Sequence, residues 1–215
     1  MHPVEIREDA EVLPQALAAL AAGGGGPVQW WVPNPTSDDD QVAAEHGLRR
    51  GRDIWQLRRP LPADPPPPLA LRAFVAGHDD GDWLALNNQA FAGHPEQGAW
   101  DAADLAAREA EPWFDPAGFL LHHDDRGLAG FVWTKLHPER IGEIFVIAVA
   151  PDRAGRGLGR ALTLAGLAWL HADASATTGM LYVDDDNTRA MQLYAHLGFR
   201  RHRLDRSFVG NVVAA

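Results

Sequence analysis

One segment limits the possible folds more than any other: residues 151–164, PDRAGRGLGRALTL. It follows a β-branched run at 143–149 and opens an amphipathic stretch at 158–171, in which Leu158, Leu162, Ala165 and Trp169 recur at helical spacing. The start of a helix leaves backbone N–H groups unpaired and carries partial positive charge. Gly155, Gly157 and Gly159 let a ligand approach that backbone, and Arg156 and Arg160 add fixed positive charge. Strand, glycine loop and helix in this order make a pyrophosphate site. A Walker loop would end in Gly-Lys-Ser/Thr, which is absent. A dinucleotide loop would open its domain, whereas this one follows four expected strands. The unit requires an α/β fold with crossover helices on a mixed sheet.

The rest of the chain is read around that unit. Residues 61–68, LPADPPPP, can form neither helix nor central strand and mark a stiff linker. About 60 residues precede it, few for an independent core, and nearly 150 follow, enough for a full domain. The expected division is therefore 1–60, a linker at 61–68, and 69–215. The first part reads helix (12–22), strand (28–32), helix (38–46) and strand (53–59). The second reads strand (69–75), helices (79–91 and 101–111, the latter capped by Asp101), and strands (118–123, 128–136 and 143–149). A helix (158–171), a strand (180–183), a helix (188–197) ended by Gly198 and one or two strands (199–208) follow. Residues 30–59 and 181–208 share a strand, acidic-start helix, glycine, strand pattern, which suggests an internal repeat.

Composition narrows the chemistry. A formal net charge of −10 disfavours nucleic acid as a partner, because backbone binding needs a basic surface. No apolar run approaches the ~20 residues of a membrane span, and MHPVEIREDAEV has neither the basic start nor the apolar core of a signal peptide. A cytoplasmic location without membrane contact is expected. With no cysteine there is no thiolate nucleophile or thiolate metal site. The ten histidines form no H-x-x-x-H pair, so no metal is expected, and His122, His123 and His137 read as loop or strand-end residues.

The loop is similar to motif A of the GNAT superfamily of N-acetyltransferases, Q/R-x-x-G-x-G/A, here on Ala154, Gly155, Arg156, Gly157, Leu158 and Gly159. Ala154 departs from the pattern, with Arg153 one place early. Because backbone N–H groups carry much of the binding in that family, weaker rather than absent acetyl-CoA binding is expected. RAFVAGHDDGDWLALNNQAFAGHPEQGAW, EPWFDPAGF, FVWTKLHPER, GRGLGRALTLAGL and MLYVDDDNTRAMQLYAHLGF resemble the mycothiol synthase family within that superfamily, over essentially all of residues 69–208.

The resemblance implies a GNAT fold, a mostly antiparallel mixed sheet flanked by helices. It also implies transfer of acetyl from acetyl-CoA to the cysteinyl amine of a cysteine–glucosamine–inositol precursor. The family has two tandem GNAT domains with catalysis in the second, so residues 1–60 look like the end of a truncated first domain. A monomer is expected, with a dimer through that remnant as the alternative, since exposed strand edges invite pairing.

By the same resemblance, Glu143 is the general base and Tyr194 the general acid. Ile147, Ala148 and Val149 present backbone to the acetyl and pantetheine arm. Ala154 to Arg160 hold the pyrophosphate. Asn187, Thr188, Arg189, Ala190, Met191 and Gln192 form a second acetyl-CoA contact. Glu96, Lys135, Glu143 and Tyr182 touch the acceptor. Taken alone, Glu96 and Lys135 would be surface charges and Tyr182 strand packing. A phenol of pKa ~10 can protonate a departing thiolate of pKa ~8.5, and the missing cysteine accords with direct transfer. The rival readings are a GNAT enzyme for another small-molecule or peptide amine, and a noncatalytic acyl-CoA sensor.

Overall fold

The computed structural model describes residues 3–7, 9–94 and 97–215. The chain forms two compact units, one of residues 1–57 with 182–215 and one of residues 58–181. It passes between them within two strands, β3 (Arg49–Pro60) and β8 (Thr178–Asp184). Residues 182–215 thus cluster with the N-terminal residues.

In the first unit β1 (Val4–Ile6) runs parallel to β2 (Gly26–Pro33), and β2 runs antiparallel to β9 (Arg200–Val212), in the order β1-β2-β9-β3. The short β1 carries little sequence signal and was not expected, and residues 200–212 form a single strand. Two helices flank these strands on the N-terminal side, α1 (Leu13–Ala22) and α2 (Ser37–Glu45). α2 starts where Thr36 and Asp39 form a capping box, the Thr36 N–H donating to Asp39 Oδ2 at 2.8 Å. Trp30 and Phe208 are fully buried with Leu13 and Val28 in this unit's core. Strand, helix, left-handed glycine and strand follow one another twice: β2, α2, Gly47 (φ 71°) and β3, then β8, α6 (Thr188–His196), Gly198 (φ 84°) and β9.

The second unit has the strand order β8-β7-β6-β5-β4. β4 (Arg72–Ala73), β5 (Phe119–Asp124), β6 (Gly127–His137) and β7 (Ile141–Val149) are successively antiparallel, and β7 runs parallel to β8. The strand expected at 69–75 shrinks to two residues, Arg72 and Ala73, paired with Leu121 and Leu120. Beyond β4, Asp79 takes two hydrogen bonds from the Arg72 guanidinium at 2.6 Å and one from the Val75 N–H at 2.8 Å. That ties β4 to the start of α3 (Asp80–Ala90). Asp101 caps α4 (Ala102–Glu109), as expected.

One side of this sheet is covered by aromatic packing. Trp83 of α3 has no exposure and meets Phe119, Phe131 and Trp133 edge-on. α5 (Leu158–Ala172) packs on β6 and β7, and its buried residues reach beyond the expected face to Thr163, Leu164, Gly166, Leu167 and Leu170. Gly166 explains how close the helix lies: a Cβ there would sit 2.7 Å from Ile144 Cδ1 and 2.8 Å from Val132 Cγ2. No helix among the described residues is long and apolar enough to cross a membrane.

Candidate active site

The site is organised by β7. Its pairing with β8 covers only Ile141, Gly142 and Glu143 against Thr178, Gly179 and Met180, although β7 continues to Val149. Just past that point the β6–β7 register slips. Trp133 faces Val146 and Thr134 faces Ile144, so Phe145 is the extra residue of a β-bulge. A bulge bends its strand and raises the local twist, which accounts for β7 leaving β8 there. Beyond the bulge Val132, Phe131 and Gly130 pair with Ile147, Ala148 and Val149, the residues expected to offer backbone to an acyl arm.

At its far end β7 leads into the glycine loop. Gly155 and Gly157 both adopt φ +84°, a conformation that L side chains rarely take. Gly157 is the residue before α5, with no side-chain cap, and the first helical bond is donated by Ala161 N to Gly157 O at 3.0 Å. The N–H groups of Leu158, Gly159 and Arg160 are therefore unclaimed by the helix.

The arginines divide by role. Arg153 is held by Asp124 at 3.1 Å and Asp152 at 2.7 Å, and its guanidinium pulls the Asp124 carboxyl down to about 2. Arg153 thus braces the turn. Arg156 and Arg160 are exposed and line a cleft of about 440 Å³ whose wall also includes His122, Leu158 and the paired Arg153 and Asp124. Two αL glycines, free helix-start amides and two arginines directed to one cleft suit a pyrophosphate. Ala154, exposed and extended, contributes no side-chain group there.

At the near end, Glu143 is 7% exposed, and its Oε2 lies 2.5 Å from His137 Nε2. Lys135 is the Cα partner of Glu143 across the β6–β7 ladder, but its ammonium lies 4.3 Å over the Trp113 ring and 5.6 Å from the Phe145 ring centre. Glu96 lies outside the described residues. His137, read from sequence as a strand-end residue, ends β6 as expected, but its contact with Glu143 and that of Trp113 with Lys135 were not foreseen. The available signal was the hairpin, which brings residues 137 and 143 to one face.

The remaining expected residues belong to the first unit. The Tyr182 phenol accepts from Gln56 Nε2 at 2.7 Å and from Arg203 at 3.3 Å, and its side chain is exposed. Tyr194 is buried against Phe199, and burial pushes its phenol up to about 12. Asn187 caps α6, accepting from the Ala190 N–H at 3.1 Å, which gives it a structural task at the expected contact. Thr188, Arg189 and Gln192 are exposed on α6, and Ala190 and Met191 half-buried.

Residues 82–199 match the model of the acetyltransferase (GNAT) family. A mycothiol acetyltransferase from Salinispora arenicola is 50% identical over 94% of this chain and 68% of its own. The chain belongs to the GNAT family, among the mycothiol acetyltransferases. A second such protein, from Salinispora tropica, is 51% identical over 87% of this chain and 64% of its own, so the chain spans about two thirds of the length of these relatives. Two solved structures share the fold. A GCN5-related N-acetyltransferase from Sphaerobacter thermophilus has a TM-score of 0.71 at 21% identity, covering 95% of this chain and 66% of its own. A tandem GNAT protein from the clavulanic acid biosynthesis pathway has a TM-score of 0.69 at 15% identity, covering 95% and 70%.

Proposed function

We propose that this acetyltransferase moves acetyl from acetyl-CoA to the cysteinyl amine of the cysteine–glucosamine–inositol precursor, forming mycothiol. The observation that carries the chemistry is the position of Glu143, a buried carboxylate where β7 parts from β8, on the strand that runs into the glycine loop. The acceptor follows from kinship with the mycothiol acetyltransferases.

The pyrophosphate of acetyl-CoA lies on the N–H groups of Leu158, Gly159 and Arg160, with Arg156 and Arg160 supplying charge. The acyl arm follows the bent part of β7 at Ile147, Ala148 and Val149. The acceptor ammonium gives a proton to Glu143. The neutral nitrogen then bonds to the thioester carbonyl carbon as the carbon–sulfur bond breaks, the thiolate takes a proton from Tyr194, and the proton shed by the new amide nitrogen returns to the Tyr194 phenolate. Glu96, Lys135 and Tyr182 hold the acceptor, and Asn187 to Gln192 add a second contact to acetyl-CoA. Burial, which pushes the Tyr194 phenol up to about 12, keeps it in the protonated form a general acid starts from. Transfer is direct, through no acetyl-enzyme. Residues 1–60 are read as part of a second GNAT unit joined through 61–68 to a catalytic domain at 69–215, the chain acts in the cytoplasm, and it works as a monomer.

The test is CoA release by the purified chain with acetyl-CoA and the cysteinyl amine, beside Glu143→Gln. Turnover that collapses in the variant supports both donor chemistry and acceptor. Acetyl-CoA binding without turnover of this amine rejects the acceptor, and acetyl-enzyme formed with acetyl-CoA alone rejects direct transfer.

A further inference from the structure

The base has a histidine on it. Glu143 is 7% exposed, and its contact at 2.5 Å is with Nε2 of His137, a side chain 30% exposed. The two are brought together by the hairpin: His137 faces Ile141 and Lys135 faces Glu143, so His137 and Glu143 are diagonal neighbours on one side of the sheet. An ionised carboxylate only accepts hydrogen bonds, so this contact places a proton on Nε2.

Among the described residues, neighbouring charged groups are engaged elsewhere or point into solvent. The Lys135 ammonium lies over Trp113. In the hairpin, Glu139 is exposed and Arg140 donates to the Ser175 carbonyl at 2.7 Å. On the segment that carries Trp113, Glu111 lies 3.9 Å from Arg108 and Asp115 accepts from the Ala117 N–H. On β8, Glu143 is paired with Met180, between the uncharged Gly179 and Leu181.

We propose that His137 is the positioning residue of Glu143: its Nε2–H holds Oε2 and leaves Oε1 as the atom that takes the acceptor's proton. This rests on the reading of Glu143 as general base. The choice of histidine has a physical reason. A buried carboxylate without a donor is driven to protonate, and one paired with lysine or arginine faces a full positive charge at every working pH. An imidazole gives a donor without a permanent charge, and in acid it gains a second proton. His137 therefore orients the base.

The test compares wild type, His137→Ala and His137→Gln in steady-state kinetics from about pH 5 to 9, alongside ring ¹⁵N NMR of His137. His137→Ala is expected to lower kcat ~10–100-fold, part of the ~10²–10⁴ that general acid–base catalysis contributes, with the KM for acetyl-CoA unmoved. His137→Gln, which keeps an N–H donor, restores part of kcat. In NMR the wild-type ring carries its proton on Nε2, and that resonance moves in Glu143→Gln. Wild-type kcat in His137→Ala, or equal losses in both variants, overturns the proposal. So does a ring protonated on Nδ1 alone. Absence of wild-type turnover counts against the assigned acceptor, and the ring spectrum then decides the role of His137 by itself.

Discussion

In the proposed mechanism the two ends of β7 do opposite kinds of chemistry. At Glu143 a side chain carries the task, held by one other side chain across a hairpin. At the loop the backbone carries it, through two glycines at φ +84° and amides at the start of α5. A backbone site tolerates changes in side chains provided the conformation survives. A side-chain site tolerates almost none. Ala154 illustrates the first case, since it departs from the family pattern at a position whose side chain lies outside the described contacts.

Four measurements sharpen that contrast. The largest effect is expected for Glu143→Gln, which keeps shape and burial while removing the base. It should lower kcat/KM for the acceptor by ~10²–10⁴ and leave acetyl-CoA affinity unchanged by calorimetry. Gly157→Val comes next. A left-handed conformation costs an L residue roughly 1–2 kcal/mol, so the KM for acetyl-CoA should rise about 5–30-fold. A loop that binds normally in this variant would mean that φ at 157 does not matter to the site.

Arg156→Ala and Arg160→Ala should each weaken acetyl-CoA binding by about 2–5-fold, the scale of an exposed ion pair, and more so at low salt. Arg153→Ala should leave that affinity unmoved, because its guanidinium is committed to Asp124 and Asp152. Equal losses for all three arginines would break the division between brace and ligand. The smallest effect concerns Asp124, whose carboxyl the Arg153 guanidinium holds at about 2 against an ordinary 3.8. A lowered folded value stabilises the protein above the unfolded value and fades as pH falls through the folded one. The Tm advantage of wild type over Asp124→Asn should therefore be full above about pH 4 and vanish towards pH 2, which thermal melts across that range would show.

Much of this was legible in the residues themselves. The strand–loop–helix order at 143–171, the cap at Asp101 and the αL glycine after α6 depend on neighbours in sequence, and local chemistry specifies them. The two-residue β4 and the three-residue β1 were misread or missed because so short a strand exists only through its partner, Leu120 and Leu121 for β4 and residues 28–30 for β1. The β-bulge at Phe145 was invisible for a similar reason: register is a relation between two strands, and residues 144–149 of β7 read alone are a plain apolar run.

The sequence by itself determined the backbone half of the site, since glycines at 155 and 157 and a helix starting at 158 dictate where amides are left free. Tertiary structure alone decided the side-chain half. It tied Arg153 to a β5 aspartate, turned Lys135 onto Trp113, buried Tyr194, and set His137 against Glu143. These outcomes turn on which strands lie adjacent and in what register, and a one-residue slip would have sent each strand side chain to the other face.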